Sequence, residues 1–325
     1  MLSLVTGASG FLGSHLVQEL ILNDYSVKAL VRQSSNIRFL EKVPSLQIQY
    51  GNLGDFSSLK RATFNIEVIF HNASLVKEWG PYDIFREHNI IGTQNILEAA
   101  RINDVKKIIF TGSAAIYQQK NSKLEEEADK NPLNNYQKSK LQAEQIIRDF
   151  CGKYGIAHTI IRPPGILGPR NNYIPPRMIN ALSKKKVQII GSGNQKHSYV
   201  DVRDAAECLR LACEKQQAIG ETFNISSYVA TVESFWKIGA KILGKTALKF
   251  QRYPYWLAYG FAILSEIWGK IVQRKTVPSA TRFRVSYFGK SFVLDSTKAK
   301  DILDFQPKFD LETSMKDMFD WWFTR

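Results

Sequence analysis

Of the 13 tyrosines in this 325-residue chain, only Tyr136 has a lysine four residues later, Lys140, within NNYQKSKLQAEQII. Four residues make about one helical turn, so on a helix the two side chains share a face. An ammonium beside a phenol lowers the phenol's pKa and can hydrogen-bond a neighbouring ribose, which would suit Tyr136 to give or take a proton near neutral pH. With so many Tyr and Lys residues one such pair is expected by chance on a solvated helix, so its meaning rests on what surrounds it. Ser113, in TGSAAIY at 111–117, follows the apolar run KKIIFT. There a hydroxyl can hold a substrate oxygen jointly with Tyr136, whereas an isolated serine would cap a turn.

A second group of residues suits an anion. Gly7, Gly10 and Gly13 are spaced by three directly after the apolar run that holds Leu2, Leu4 and Val5, and Leu12, Leu16 and Leu20 then recur every four residues. This is a strand turning into a helix. The turn gathers free N–H groups and the positive end of the helix dipole at one point, and small residues let a diphosphate approach the backbone. Glycines also punctuate elements for purely steric reasons, so the turn gains its force from the rest of the chain.

These residues need a scaffold, and the sequence supplies one. Strand-like runs at Val27–Val31, Gln47–Tyr50, Val68–His71, Lys107–Thr111 and His158–Arg162 alternate with apolar-periodic helical stretches such as Ile90–Ala100 and Tyr136–Phe150. Such alternation predicts an α/β fold with a doubly wound parallel sheet and helices on both faces, whose ligands sit at the carboxyl ends of the strands. The expected division is a nucleotide-binding domain over 1–168, to which later segments return, and a smaller, mainly substrate-binding lobe over 169–325. Beyond RPPGILGP the text turns rich in Pro, Asn and basic residues.

At 44% hydrophobic residues the chain can bury a large core. It opens without a basic segment followed by an apolar one, and its first strand begins near residue 1, so a cytoplasmic protein is expected. Cys151, Cys208 and Cys213 have neither disulfide parity nor metal-ligand spacing, so they are expected to pack and no metal site is expected. The net charge of +14 is weighted to the later half, at Lys184, Lys185 and Lys186 and from Lys270 through Arg284. One apolar stretch, PYWLAYGFAILSEIWGKIV at 254–272, carries only Glu266 and Lys270 as charges and is short for a membrane span. It reads either as a buried helix or as an interfacial one. In the second reading Trp256, Phe261 and Trp268 enter lipid while Arg274, Lys275, Arg282 and Arg284 meet anionic head groups in a peripheral membrane contact.

Taken in order, these motifs resemble those of the extended short-chain dehydrogenase/reductase family. Its TGxxGxxG turn stands as TGASGFLG, its NxxGT as NIIGT at 89–93, its active-site serine as Ser113 and its Tyr-x-x-x-Lys as YQKSK; its RPxxxxGP stands as RPPGILGP and its YVxDxA as SYVDVRDAA at 198–206. The resemblance implies a Rossmann-type sheet, a nicotinamide cofactor, and Ser113, Tyr136 and Lys140 as the catalytic set, with Tyr136 and Lys140 also at the ribose. The turn from Gly7 to Gly13 would hold the pyrophosphate on the backbone of Ser9, Gly10, Phe11 and Leu12. Asn52 and Leu53 would hold the adenine, Ala73 and Ser74 the nicotinamide ribose, and Pro163 through Ile166 the nicotinamide, with Asn89 in support. Asn52 departs from the family's usual Asp, keeping an acceptor and losing the charge. Where NAD-binding members end the second strand on a carboxylate, VKALVR ends on Val31 and Arg32, so NADP is preferred to NAD.

Two subgroups compete for the reaction. Sugar-nucleotide epimerases and dehydratases share the first domain and read GPR as here at 168–170, yet they commonly carry a diphosphate-binding Arg where this chain has His197, leaving Lys196 or Arg170 as substitutes. Members like 3-beta-hydroxysteroid dehydrogenases and dihydroflavonol reductases oxidise or reduce a secondary alcohol or ketone on a bulky apolar small molecule. ALVR, RPPGILGP and the apolar stretch before SFVLDSTKAKDILDF resemble these, and this reading is preferred. A non-catalytic nicotinamide-sensing or RNA-associated protein is the remote alternative. The complete Ser113, Tyr136 and Lys140 set and the absence of a recognisable nucleic-acid module argue against it, so no nucleic acid is expected. A hydrolase would need a G-x-S-x-G elbow that neither Ser9 nor Ser113 has. The family resemblance implies a homodimer through the helices at 90–100 and 136–150.

Overall fold

Each expected strand forms, and Gln47–Tyr50, half polar and without a buried residue, lies at the edge of the sheet. The computed structural model describes residues 1–119, 123–183, 186–245 and 248–325, without the side chain of Lys186. Lys184 and Lys185 of the basic cluster lie outside the described residues, as does the side chain of Lys186. Strands β1 (Leu2–Thr6), β2 (Ser26–Val31), β3 (Gln47–Tyr50), β4 (Val68–His71), β5 (Lys107–Thr111), β6 (Ala157–Arg162), β7 (Gly165–Leu167), β8 (Lys186–Ile190), β9 (Lys196–Asp201), β10 (Thr222–Asn224), β11 (Tyr228–Thr231) and β12 (Lys249–Tyr253) build three sheets. The helices are α1 (Phe11–Leu22), α2 (Phe56–Thr63), α3 (Tyr82–Phe85), α4 (Gly92–Ile102), α5 (Asn135–Tyr154), α6 (Ile174–Ser183), α7 (Val202–Glu214), α8 (Val232–Ile242), α9 (Tyr255–Ile271), α10 (Arg282–Gly289), α11 (Thr297–Leu303) and α12 (Leu311–Thr324).

The main sheet is parallel, in the order β10-β6-β5-β4-β1-β2-β3, so the chain reverses direction across the sheet between β1 and β4. Open α/β sheets bind ligands outside the carboxyl ends of the strands at such a switch point. Two apolar layers cover it. Leu12, Leu16 and Leu20 of α1 pack with Cys208 and Leu209 of α7 on one face, and Leu59, Ile96, Leu97 and Ile147 of α2, α4 and α5 pack on the other. The strand in ETFNIS, β10, pairs with β6 at the sheet's edge, and α7 lies against α1, so both segments return to this sheet from the later half.

Helix α11 also joins the main-sheet core through Ala299 and Leu303, while β8, β9, β11, α6, α8 and α12 contribute to a separate core that includes Leu167, Met178, Tyr199, Val232, Met315 and Phe319. The three cysteines are buried free thiols, and burial raises the pKa of each, as suits packing residues. Among the described residues no group of three His, Cys, Asp or Glu side chains is arranged to hold a metal ion.

Helix α9 corrects the buried-helix reading of 254–272. Ala262, Glu266 and Gly269 are buried, while Trp256, Phe261, Leu264, Ile267, Trp268 and Ile271 are exposed. The cause is its narrow inner face. Gly269 lies close against Pro278 and Trp79, and Glu266 accepts from the backbone N–H and Nε of Arg282, which leaves the wider apolar face outside. No described helix is long and apolar enough to cross a membrane.

Candidate active site

The glycine turn joins β1 to α1, and each glycine has its own reason. Gly7 has φ +67°, and a Cβ there would come within 2.8 Å of Ala73 Cα. A Cβ on Gly13 would stand 2.1 Å from the Gly7 carbonyl oxygen. Gly10 is the N-cap of α1 with no side chain over it, and the first turn has no acidic residue. The leading N–H groups of α1 therefore face a concavity, together with the positive helix end, as a diphosphate requires. Gly13→Ala is expected to abolish nucleotide binding, read as loss of fluorescence enhancement on NADPH titration, because the clashing atoms are backbone on both sides.

The rim of this concavity continues to the adenosine end. Ser9, Phe11, Leu12, Arg32, Asn52, Leu53, Ala73 and Ser74 all line one continuous cavity. Arg32 is exposed, follows the last residue of β2 and lines the same cavity as Ser34 and Arg61. Asn52 Oδ1 accepts from the Gly54 N–H at 2.8 Å, so the acceptor that replaces the usual carboxylate also holds its own loop. The residues present fit a dinucleotide: a Cβ-free cradle for the diphosphate and a cationic, carboxylate-poor rim at the ribose.

The residues expected to carry the chemistry stand elsewhere on this cavity. Ser113 follows β5 and Tyr136 lies in the first turn of α5, with the Ser113 hydroxyl close enough to the phenol to hold its pKa down. Ser113 Oγ also accepts from the Ala115 N–H at 3.2 Å, so the turn-capping role and the site role coexist. Helix α5 starts here because Asn134 and Gln137 form a reciprocal capping box. Lys140 is buried one turn later. Its Nζ donates to the Thr111 carbonyl at 2.6 Å and lies 4.2 Å from the centre of the Phe110 ring. Burial pulls Lys140 down to about 8, against the opposing pull of Glu144. The Tyr136 phenol departs from expectation: burial raises its pKa, with the Ser113 hydrogen bond as the lowering influence. The ammonium faces the Thr111 carbonyl and the Phe110 ring, so proximity in sequence alone does not bring the phenol to neutrality.

One supporting group was expected from the sequence, and others were not apparent in it. Asn89 occupies a π-helical turn, Arg86–Ile91, a geometry that recurs at functional sites. From there its Oδ1 accepts from the Leu75 N–H at 2.7 Å and from Ser74 Oγ at 3.2 Å, while Nδ2 donates to Ser139 Oγ at 2.9 Å. Asn89 thus ties the loop after β4 to α5. Beneath it a buried relay runs from Thr6 Oγ1 to His71 Nδ1 and from His71 Nε2 to Thr93 Oγ1, with burial holding His71 at about 3 and hence neutral. Behind Lys140, one further turn along α5, Glu144 meets Arg162 in a buried ion pair of 2.7 Å. The i, i+4, i+8 spacing of Tyr136, Lys140 and Glu144 is the one signal that pointed to Glu144.

The cavity runs on past Pro163 and Ile166 into the later lobe, with a total volume of about 3010 Å³. Its lining there includes the aromatic Phe235, Trp236, Phe283, Tyr287, Phe288 and Phe292, together with Arg177, Gln188 and Gln251. Of the two substitutes for the missing diphosphate Arg, only Arg170 lines this cavity. Arg170 donates to Ser14 Oγ at 3.0 Å and Gln18 Oε1 at 2.9 Å, and Lys196 is not among the residues lining this cavity. His197 is fully buried against Tyr287, at 4.8 Å between ring centres, and neither ring nitrogen has a hydrogen-bond partner. Burial holds it at about 4, so it is neutral at pH 7.

The comparisons with known proteins agree with this geometry. The family model described as the NAD dependent epimerase/dehydratase family matches residues 3–226. The chain is 28% identical to mouse sterol-4-alpha-carboxylate 3-dehydrogenase, decarboxylating, over 96% of this chain and 88% of that protein. It is 30% identical to N-acetyl-alpha-D-glucosaminyl-diphospho-ditrans,octacis-undecaprenol 4-epimerase of Escherichia coli O157:H7, over 91% of this chain and 87% of that protein. Among solved structures, UDP-glucuronic acid 4-epimerase from Bacillus cereus in complex with NAD superposes with a TM-score of 0.78 at 25% identity, covering 99% of this chain and 98% of that one. With its parallel sheet, its glycine cradle and a matching family profile over more than half its length, the chain belongs to the NAD-dependent epimerase/dehydratase family of extended short-chain dehydrogenases/reductases.

Proposed function

We propose that the protein is an NADP-preferring oxidoreductase that moves a hydride between the nicotinamide and a secondary alcohol or ketone on a bulky apolar, sterol- or lipid-like molecule. The observation that carries this reading is the aromatic wall beyond Ser113 and Tyr136, together with a neutral, buried His197 where a diphosphate-binding cation is wanted. An apolar body gains by leaving water for such a wall, whereas at the position where sugar-nucleotide enzymes commonly carry a diphosphate-binding Arg this chain has the buried, neutral His197. Bound nicotinamide supplies or accepts the hydride. Ser113 and Tyr136 hold the substrate oxygen between them, Tyr136 passes the proton, and Lys140 fixes the ribose and holds positive charge behind the phenol. In this reading residues 1–168 bind the nucleotide and most of 169–325 covers the substrate.

Arg32, Arg61 and Ser34 support the preference for NADP, since a guanidinium matches a 2′-phosphate. Arg32→Ala is expected to raise KM for NADPH about tenfold or more while leaving that for NADH within about twofold, consistent with a lost charge-assisted contact. Equal effects on both cofactors would remove the basis for the preference. The relative named as an undecaprenol-linked 4-epimerase favours the second reading, a sugar epimerase. A substrate panel separates the two: the account expects NADPH-dependent reduction of a 3-ketosterol and no conversion of UDP-glucose, and the opposite pattern would replace it.

A further inference from the structure

We propose that the outer face of α9 is a docking surface for a bilayer containing anionic lipids, and that it sets the mouth of the cavity against that bilayer. At 3.6 residues per turn, Trp256, Phe261, Leu264, Ile267, Trp268 and Ile271 fall within an arc of about 140° of the helix circumference, and all six are exposed. No charged residue lies within that arc; Lys270 lies at its edge. So large an uncovered apolar surface marks an interaction site, and tryptophan at both ends of the helix suits the boundary between lipid and water. The helix has 17 residues and is not long enough to cross, so it would lie in the interface.

Charge selects the occupant. Between Lys249 and Lys290 the chain has eight Lys or Arg and one acidic residue, Glu266, which is buried against Arg282. Arg282 and Arg284 are held by Glu266 and Glu78, which corrects the expectation that they reach head groups. Lys270, Arg274 and Lys275 are exposed and have no ion pair among the described residues. A second copy of this chain would bring like charges together at that rim, whereas an anionic lipid surface attracts it. The same three residues line the cavity, and Trp79 Nε1 donates to the Arg274 carbonyl at 2.9 Å, which fixes the end of α9 beside the loop that follows β4. An amphiphile leaving the bilayer along α9 would pass them on its way to Phe283 and Tyr287.

This inference rests on the proposed apolar substrate only for its purpose; the binding itself is tested without substrate. The full chain is floated with vesicles of phosphatidylcholine alone or with phosphatidylglycerol added. The account expects partition onto the anionic vesicles to exceed that onto neutral ones by roughly 100-fold, and to fall as salt is raised. Phe261→Asp with Leu264→Asp, neither of which lines the cavity, is expected to lose more than about tenfold of that partition. Its melting curve and its turnover of a detergent-dispersed substrate should match those of the parent. The proposal is overturned by equal partition of parent and variant, by indifference to anionic lipid, or by sedimentation showing that the substitutions dissociate a dimer. Loss of the oxidoreductase reading would show instead as absent turnover in detergent, with vesicle binding intact.

Discussion

Tyr136→Phe is expected to lower turnover by roughly 100- to 10,000-fold while leaving nucleotide binding within about threefold of the parent. The substitution removes one oxygen and keeps the ring, so the first turn of α5 and its capping box stand. What is lost is the hydroxyl beside Ser113, one helical turn ahead of the buried Lys140. Because burial raises the phenol's pKa, it is protonated at pH 7 and stands as a proton donor for ketone reduction; in the oxidative direction activity should climb with pH. Turnover close to the parent's in the variant would remove Tyr136 from the acid–base role, and a parallel loss of nucleotide affinity would make it a binding residue.

The second large effect concerns stability. Arg162→Met is expected to cost about 3–5 kcal/mol, read as a lowered urea midpoint, because it leaves a carboxylate buried without its partner. Glu144 is 2% exposed and receives three hydrogen bonds from Arg162; the guanidinium also donates to Tyr117 Oη at 2.6 Å and the Glu126 carbonyl at 2.7 Å. Breaking one half of such a network costs more than replacing both halves by apolar side chains. The double variant Arg162→Met with Glu144→Leu should therefore regain most of the loss. If the double variant is as unstable as the single, the cost comes from the contacts to Tyr117 and Glu126 and not from the orphaned carboxylate. Glu144 also opposes the drop in the Lys140 pKa, so the pair connects the stability of the sheet to the charge behind the phenol.

Much of the scaffold was legible because its signals are local. A glycine every third residue, apolar runs that fit strands and a Tyr–Lys pair at one helical turn each reflect spacing within one element, and the elements form where those spacings fall. Arg162 and Glu144 could not be paired in advance because their contact depends on how β6 lies under α5. The π-helical turn that carries Asn89 has no sequence period of its own. Helix α9 was open between two readings since an apolar helix of that length looks alike buried or bare, and only its neighbours decide. Here a small inner face of Ala262, Glu266 and Gly269 leaves the bulky residues without a partner. Likewise Lys140 sits where the spacing puts it, yet its ammonium turns to the Thr111 carbonyl, a partner that becomes adjacent only once β5 and α5 pack.

The central claim is net hydride transfer between an exchangeable cofactor and an apolar alcohol or ketone, as opposed to a hydride borrowed and returned within each cycle. The direct measurement follows the cofactor: the purified protein is mixed with a known quantity of NADPH and a 3-ketosterol, and reduced nicotinamide and product alcohol are quantified together. The account predicts that they change mole for mole, with no nucleotide retained through gel filtration. Tightly retained NAD, inversion of a sugar carbon and no net change in nicotinamide would contradict it.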